Sequence, residues 1–321
     1  MIAVIAFVNA IFEPGFFTSE PVRVALVVGG AVSLVSAVVG VFTVIRGQSF
    51  AGHSMGDLGT AGGSGAFLVG ANPLWGFVTF AVLGAGAMEL FGARRPRGRD
   101  TATGIVLGAG LGIAALFLYL GTTHSNTTGA TITILFGSMF VIGTSMIPVF
   151  VLLSALALGI VALLYRPLLL SAVSRDIASA RGVPVRTVGL LYLLAMAVAV
   201  SLSCVTIGAI LSTAVLIGPA AAALRLTRRP GLAVAWAAVI GLAVTWLGIL
   251  LAYDSYYWPP LGRGWPVSFF VVALILAVYV AADLVSRNVA RHRGRVVSSA
   301  EGPAGVGGRA QPMLSPVAGV D

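Results

Sequence analysis

Long apolar runs separated by short arginine-bearing breaks make up most of this chain. A helix needs about 20 apolar residues to cross a bilayer. On that measure the pattern predicts spans near 22–45, 51–70, 73–91, 104–120, 149–165, 186–205, 207–223, 231–252 and 266–285. Residues 121–148 (GTTHSNTTGATITILFGSMFVIGTSMIP) mix a polar loop with an apolar piece too short to cross, and are either re-entrant or a further span. The expected fold class is all-α, a polytopic transmembrane helical protein with about eight or nine spans. Residues 22–286 form its membrane domain, 1–21 an extracytoplasmic or re-entrant segment, and 287–321, rich in Gly, Pro, Ser and Arg, a disordered basic cytoplasmic tail. Met1 to Phe12 is apolar without the basic leader of a signal peptide, so no cleavage is expected.

Composition strengthens the membrane reading. Hydrophobic residues make up 58% of the 321 and charged residues 9%, against roughly 25% charged in a soluble domain. The 41 glycines suit helices packed backbone to backbone. A net charge of +9 would point to nucleic acid in a soluble protein, but here the arginines fall between spans: Arg46, then Arg94 to Arg99, Arg166 to Arg186, Arg225 to Arg229, and Arg287 to Arg295. With alternating spans all of these lie on one side, which makes that side the cytoplasm, places the C-terminus there and leaves no nucleic-acid partner. The opposite loop DSYYWPPLGRGW (254–265) carries aromatic residues suited to an interface.

Several chemistries are excluded by missing residues. The chain has no lysine, so no phosphate-binding GxxxxGK[ST] loop exists and ATP is not hydrolysed here by that route. No HExxH pair, GxSxG elbow or pair of intramembrane aspartates is present. The expected role is transport, not catalysis. Cys204, the single cysteine, allows no internal disulfide and reads as a small buried hydrophobe in preference to a soft ligand.

Two ionisable groups stand apart from this pattern. Glu89 and Asp283 lie near span ends, where side chains reach headgroups. His53 and Asp57, in SFAGHSMGDLG (49–59), do not. Counting about 1.5 Å per residue from Arg46, they lie roughly 10 and 16 Å deep, against a half-thickness of roughly 15 Å. Being four apart, they share one helix face. They are either a structural hydrogen-bonded pair or ligands for a cation; imidazole nitrogen with carboxylate oxygen suits Zn²⁺, Mn²⁺ or Fe²⁺. Two ligands do not complete a four-coordinate site, and a second copy across a two-fold axis would supply two more. Gly52/Gly56 and Gly59/Gly63 have the spacing that permits close helix contact. His124, in the outward HSNTT segment, is a candidate for ion entry or a solvated histidine, and Pro219 a kink used in gating or in packing.

Five stretches in this order, RGQSFAGHSMGDLGTAGG (46–63), NPLWG (72–76), LFGS (135–138), RDIASARGVPV (175–185) and IGAILSTAVLIGPAAAALRL (207–226), resemble the permease subunits of ATP-binding-cassette importers for zinc, manganese and iron. The resemblance covers about residues 20–285. It implies a dimeric permease in the cytoplasmic membrane of a prokaryote, with a second permease copy, a separate ATP-binding subunit and an extracytoplasmic metal-binding protein as partners. It implies no permanently bound cofactor, only a transported ion: zinc or manganese, with iron as a further option. His53 and Asp57 of both copies would then line the translocation pathway. That family usually has aspartate at the position of His53 and histidine at that of Asp57, so the two types are exchanged here. RDIASARGVPV resembles the cytoplasmic loop that docks on the ATPase, with Arg175, Asp176, Ala178 and Gly182 as its residues, although the family's aspartate falls at Ser174. Two other functions fit the membrane pattern: a proton- or ion-coupled secondary transporter using the pair as a relay, and a permease for metal chelates.

Overall fold

The computed structural model describes residues 15–92, 99–125, 128–258, 262 and 264–300, which are helical without strands. The helices are α1 (Glu20–Ile45), α2 (Ser49–Leu68), α3 (Pro73–Gly92), α4 (Arg99–Ser125), α5 (Thr128–Phe136), α6 (Ile147–Leu163), α7 (Tyr165–Val173), α8 (Arg175–Ala180), α9 (Val185–Ile207), α10 (Ser212–Leu226), α11 (Pro230–Asp254) and α12 (Val267–Ala300). Each of the nine sequence-read spans falls on one of the nine long helices α1–α4, α6 and α9–α12.

Six of these, α1, α3, α6, α9, α11 and α12, have the length and composition to cross a membrane unaided. The other three depend on their neighbours. α2 is long enough but carries His53, Ser54, Asp57, Thr60 and Ser64; α10 has only 15 residues; the apolar part of α4 is Leu107–Thr123. Among the described residues of 121–148 there is no further crossing: the end of α4, the nine-residue α5, two 3₁₀ turns, Met139–Val141 and Thr144–Met146, and the start of α6 occupy them.

The start of α10 differs from the span read at 207–223. Gly208, at φ 103°, stops α9 and leaves 208–211 as a turn before Ser212. That turn is clamped from outside the helix pair: Ala209 N–H donates to the Ile134 carbonyl (3.1 Å) and Ile210 N–H to that of Leu135 (3.3 Å). Gly137, also at positive φ, lies directly against the backbone of Ile207 and Gly208, where a Cβ would collide. At the C-terminus α12 runs on to Ala300, past the boundary read at 286, because residues 287–300 contain no proline and Arg287 pairs with Asp283 one turn back at 2.7 Å. Residues 1–14 and 301–321 of the two terminal segments lie outside the described residues.

α9 is the centre of the bundle, packed against α1, α3, α6 and α2. Polar groups on it find partners on α1, as the absence of water requires. Ser203 and Ser36 hydroxyls are 2.8 Å apart, and Tyr192 Oη lies 2.6 Å from Thr43 Oγ1 and donates to the Val39 carbonyl at 3.1 Å. Tyr192 is fully buried. Tyr192→Phe removes this bond and leaves Thr43 its own bond to Val39, so the expected loss is about 1 kcal/mol, read as a modest fall in the thermal midpoint of the detergent-solubilised protein.

Candidate metal pathway

α2 begins at a tight turn. Gly47, at φ 64°, ends α1, and Gln48 N–H closes back onto the Thr43 carbonyl at 2.9 Å, so only three residues separate the two helices. Glycines then let α2 sink among its neighbours. Gly52 faces Leu216 of α10, Gly56 faces Ser212 and Cys204, and Gly59, Gly62 and Gly63 face Gly76 and Phe77 of α3, while Gly65 faces Phe117 of α4. The close-contact spacing of these glycines is thus used within the chain. One strip of α2 stays open in the first half of the helix: Phe50, His53 and Asp57, with side-chain exposures of 47% for His53 and 14% for Asp57.

His53 Nε2 stands 3.7 Å from Asp57 Oδ2, beyond hydrogen-bonding distance, while His53 Nδ1 lies 3.0 Å from Thr213 Oγ1 on α10. Asp57 Oδ2 is itself shielded and has no hydrogen-bond partner. Such a carboxylate oxygen is costly unless something of opposite charge reaches it. The two groups therefore share one face, as their spacing predicts, with His53 Nε2 and Asp57 Oδ2 turned toward each other. Among the described residues no three His, Cys, Asp or Glu side chains come together, so one chain brings two ligands to this point.

The other candidates lie elsewhere. His124 is in the last turn of α4, and its side chain falls outside the described residues. Cys204 is buried in the main apolar core. Pro219 is buried inside α10, and Gly40 of α1 packs against Leu216 and Ala220 on either side of it. Glu89 and Asp283 face arginines at the side assigned to the cytoplasm: Glu89 lies 3.9 Å from Arg186, and Asp283 lies 3.3 Å from Arg225.

RDIASARGVPV folds as a capped miniature helix. Ser174 Oγ accepts from Ile177 N–H (3.3 Å) at one end of α8. At the other, Gly182 adopts φ 76° and the Gly182 and Val183 N–H groups bond to the Ser179 and Ala178 carbonyls, a Schellman ending. Ala178 is the buried underside; Arg175, Asp176 and Ile177 face outward with Val173 just before them. The link from this loop back to α2 passes through Arg46. Its Nη1 donates to Ser171 Oγ of α7 at 2.8 Å, its Nε to Gln48 at 3.2 Å, and its guanidinium lies 5.3 Å from the Tyr192 ring centre. Neither Arg46 nor Thr213 was singled out by its sequence context. An arginine at a span end reads only as topology, and a lone threonine in an apolar run carries no signal.

With this geometry in place, residues 18–284 match the model of the ABC 3 transport family, and the chain belongs to that family. Among similar proteins are the manganese transport system membrane protein MntC of Listeria innocua, 26% identical over 247 residues that cover 77% of this chain and 85% of that one. Another is the high-affinity zinc uptake system membrane protein ZnuB of Haemophilus influenzae, 25% identical over 233 residues, covering 72% and 88% of the two chains. The solved PsaBC structure from Streptococcus pneumoniae in complex with Fab shares the fold, with a TM-score of 0.70, 21% identity and coverage of 88% and 95%.

Proposed function

We propose that this chain is the permease subunit of an ATP-driven importer that carries a divalent transition-metal ion, zinc or manganese, across the cytoplasmic membrane. Family membership supports the ATP-driven class over a secondary transporter, and the relatives' cargoes support a metal ion. The observation that carries the residue assignment is the 3.7 Å separation of His53 Nε2 and Asp57 Oδ2 on one helix face. With metal–ligand bonds of about 2.1 Å, donors 3.7 Å apart would meet one ion at an angle of roughly 120°, so a small closure brings both into a tetrahedral or octahedral shell. The orphaned Oδ2 would then have its partner. A chelate arrives with its ligands already supplied and has no use for such a pair, so a bare ion is favoured.

Two ligands per chain fit a site completed by a second permease copy, with two His53 and two Asp57 around one ion. An extracytoplasmic binding protein would deliver the ion, and the C-terminus would face the cytoplasm. An ATP-binding subunit would dock on α8, where Val173 and Ile177 expose apolar surface beside Arg175, Asp176 and Arg181. Its motion would reach α2 through Ser171 and Arg46, which stands seven residues ahead of His53.

The test is uptake of Zn²⁺ or Mn²⁺ into vesicles holding the permease with its ATP-binding subunit, supplied with the binding protein. Uptake is expected to require ATP, and uptake driven by an ion gradient alone overturns the reading. In the same vesicles Ala178→Arg forces an unpaired charge under α8 at a cost of several kcal/mol, so metal-stimulated ATP hydrolysis is expected to fall by about tenfold or more.

A further inference from the structure

The two ring nitrogens of His53 face different groups. Nε2 is directed at Asp57 Oδ2, and Nδ1 meets the hydroxyl of Thr213, a residue 160 positions away on another helix. We infer that Thr213 is a positioning residue for the transported ion: its hydroxyl accepts a hydrogen bond from Nδ1–H, which keeps the proton on Nδ1 and leaves the Nε2 lone pair turned toward Asp57. The inference rests on the proposed assignment of His53 and Asp57 as ion ligands.

The chemistry is the ordinary requirement on a metal-binding imidazole. A neutral ring holds one proton, and it offers a lone pair at one nitrogen only if the other keeps that proton, usually by donating it to a nearby oxygen. On α2 no oxygen fills that role, because Ser54 and Thr60 hydroxyls bond to their own helix at Phe50 and Gly56. With a side chain 47% exposed, His53 has little packing to hold its ring. The Thr213 hydroxyl supplies both the acceptor and the hold.

Thr213 in turn stands on a firm base. It follows the Gly208 turn by five residues, and that turn is clamped to the Ile134 and Leu135 carbonyls. The far end of the helix is tied to α12, where Arg225 Nη2 donates to Tyr279 Oη at 3.3 Å and Nη1 lies 3.3 Å from Asp283. The His53 ring is therefore set by α10, and any displacement of α10 relative to α2 withdraws the acceptor and weakens the ligand.

Thr213→Val keeps shape and volume while removing the hydroxyl, and Thr213→Ser restores it. Titration of the full-length purified permease with Mn²⁺ and with Zn²⁺, together with uptake rates in the assembled transporter, reads the effect. For Thr213→Val the apparent affinity is expected to drop about 10–100-fold, with maximal uptake at saturating ion and the amount of protein in the membrane unchanged, and Thr213→Ser is expected to recover the affinity. Unchanged affinity in Thr213→Val overturns the inference, as does a serine variant as weak as the valine one. His53→Ala distinguishes the two levels. If it abolishes binding while Thr213→Val is neutral, only the role of Thr213 falls; if it binds as the parent does, the ligand assignment itself fails.

Discussion

Asp57→Asn is expected to stop accumulation of Mn²⁺ and Zn²⁺ while the protein reaches the membrane in normal amount. The carboxylate is the only acidic group on α2; Glu89 and Asp283 face arginines, and Glu20 and Asp254 stand at the ends of α1 and α11. Without Asp57 no negative charge offsets a dication at that depth, and His53 alone is a single neutral donor. The loss in transport is expected to exceed a hundredfold, since removing even an outer-shell partner costs about 10–100-fold. Stability should move the other way. Asp57 Oδ2 is shielded without a hydrogen-bond partner, a standing cost to the fold that the neutral amide relieves. The expected combination is thus abolished uptake with an equal or raised thermal midpoint, measured on the same preparation. Unchanged uptake refutes the ligand role. A sharp fall in midpoint would instead assign the pair to holding α2 in place. His53→Ala is expected to match the transport loss, but it also frees Thr213, so its stability effect is less informative.

Much of this architecture was legible in the order of residues. Nine apolar runs became nine helices because a backbone in lipid must bond within its own segment, and three of the arginines that mark span ends pair with acids there, Arg186 with Glu89 and both Arg225 and Arg287 with Asp283. The shared face of His53 and Asp57 followed from their spacing alone. What was hidden depends on contacts distant in sequence. Gly208 looks like any other small residue of a span, yet its positive φ and the carbonyls of Ile134 and Leu135 divide α9 from α10. The stretch 121–148 was ambiguous for the same reason, since α5 is short and finds its partners in that turn. Thr213 and Ser171 matter only through side chains that reach them from 160 and 125 positions away. The glycine pattern predicted close approach on α2 but not its partners, which are α3, α4, α9 and α10 of the same chain.

Those glycines give the largest expected effect on folding. Gly62 of α2 and Gly76 of α3 touch backbone to backbone, and a Cβ built on either would overlap the carbonyl of the other. No flexible side-chain end is available to move aside. Even alanine must push two helices apart, so Gly62→Ala and Gly76→Ala are each expected to destabilise by at least about 1–3 kcal/mol, the usual cost of overpacking a dense core, and Gly76→Val to prevent assembly altogether. Gly59 should tolerate alanine better, because its neighbour is the Phe77 ring at 3.1 Å. On α4, Gly112 faces open space, so Gly112→Ala serves as the control and should gain up to about 1 kcal/mol from helix propensity. The amount of folded protein extracted from membranes ranks the five variants. A Gly76→Ala protein as abundant and as heat-stable as Gly112→Ala would mean that α2 and α3 are not in contact there. The ranking also bears on the ion site, since the Gly62–Gly76 contact lies five residues beyond Asp57 on the same helix. Separating α2 from α3 should lower the amount of transporter, whereas Asp57→Asn should lower only the activity of each molecule. The two sets of variants together therefore distinguish a helix that builds the pathway from the side chains on it that hold the ion.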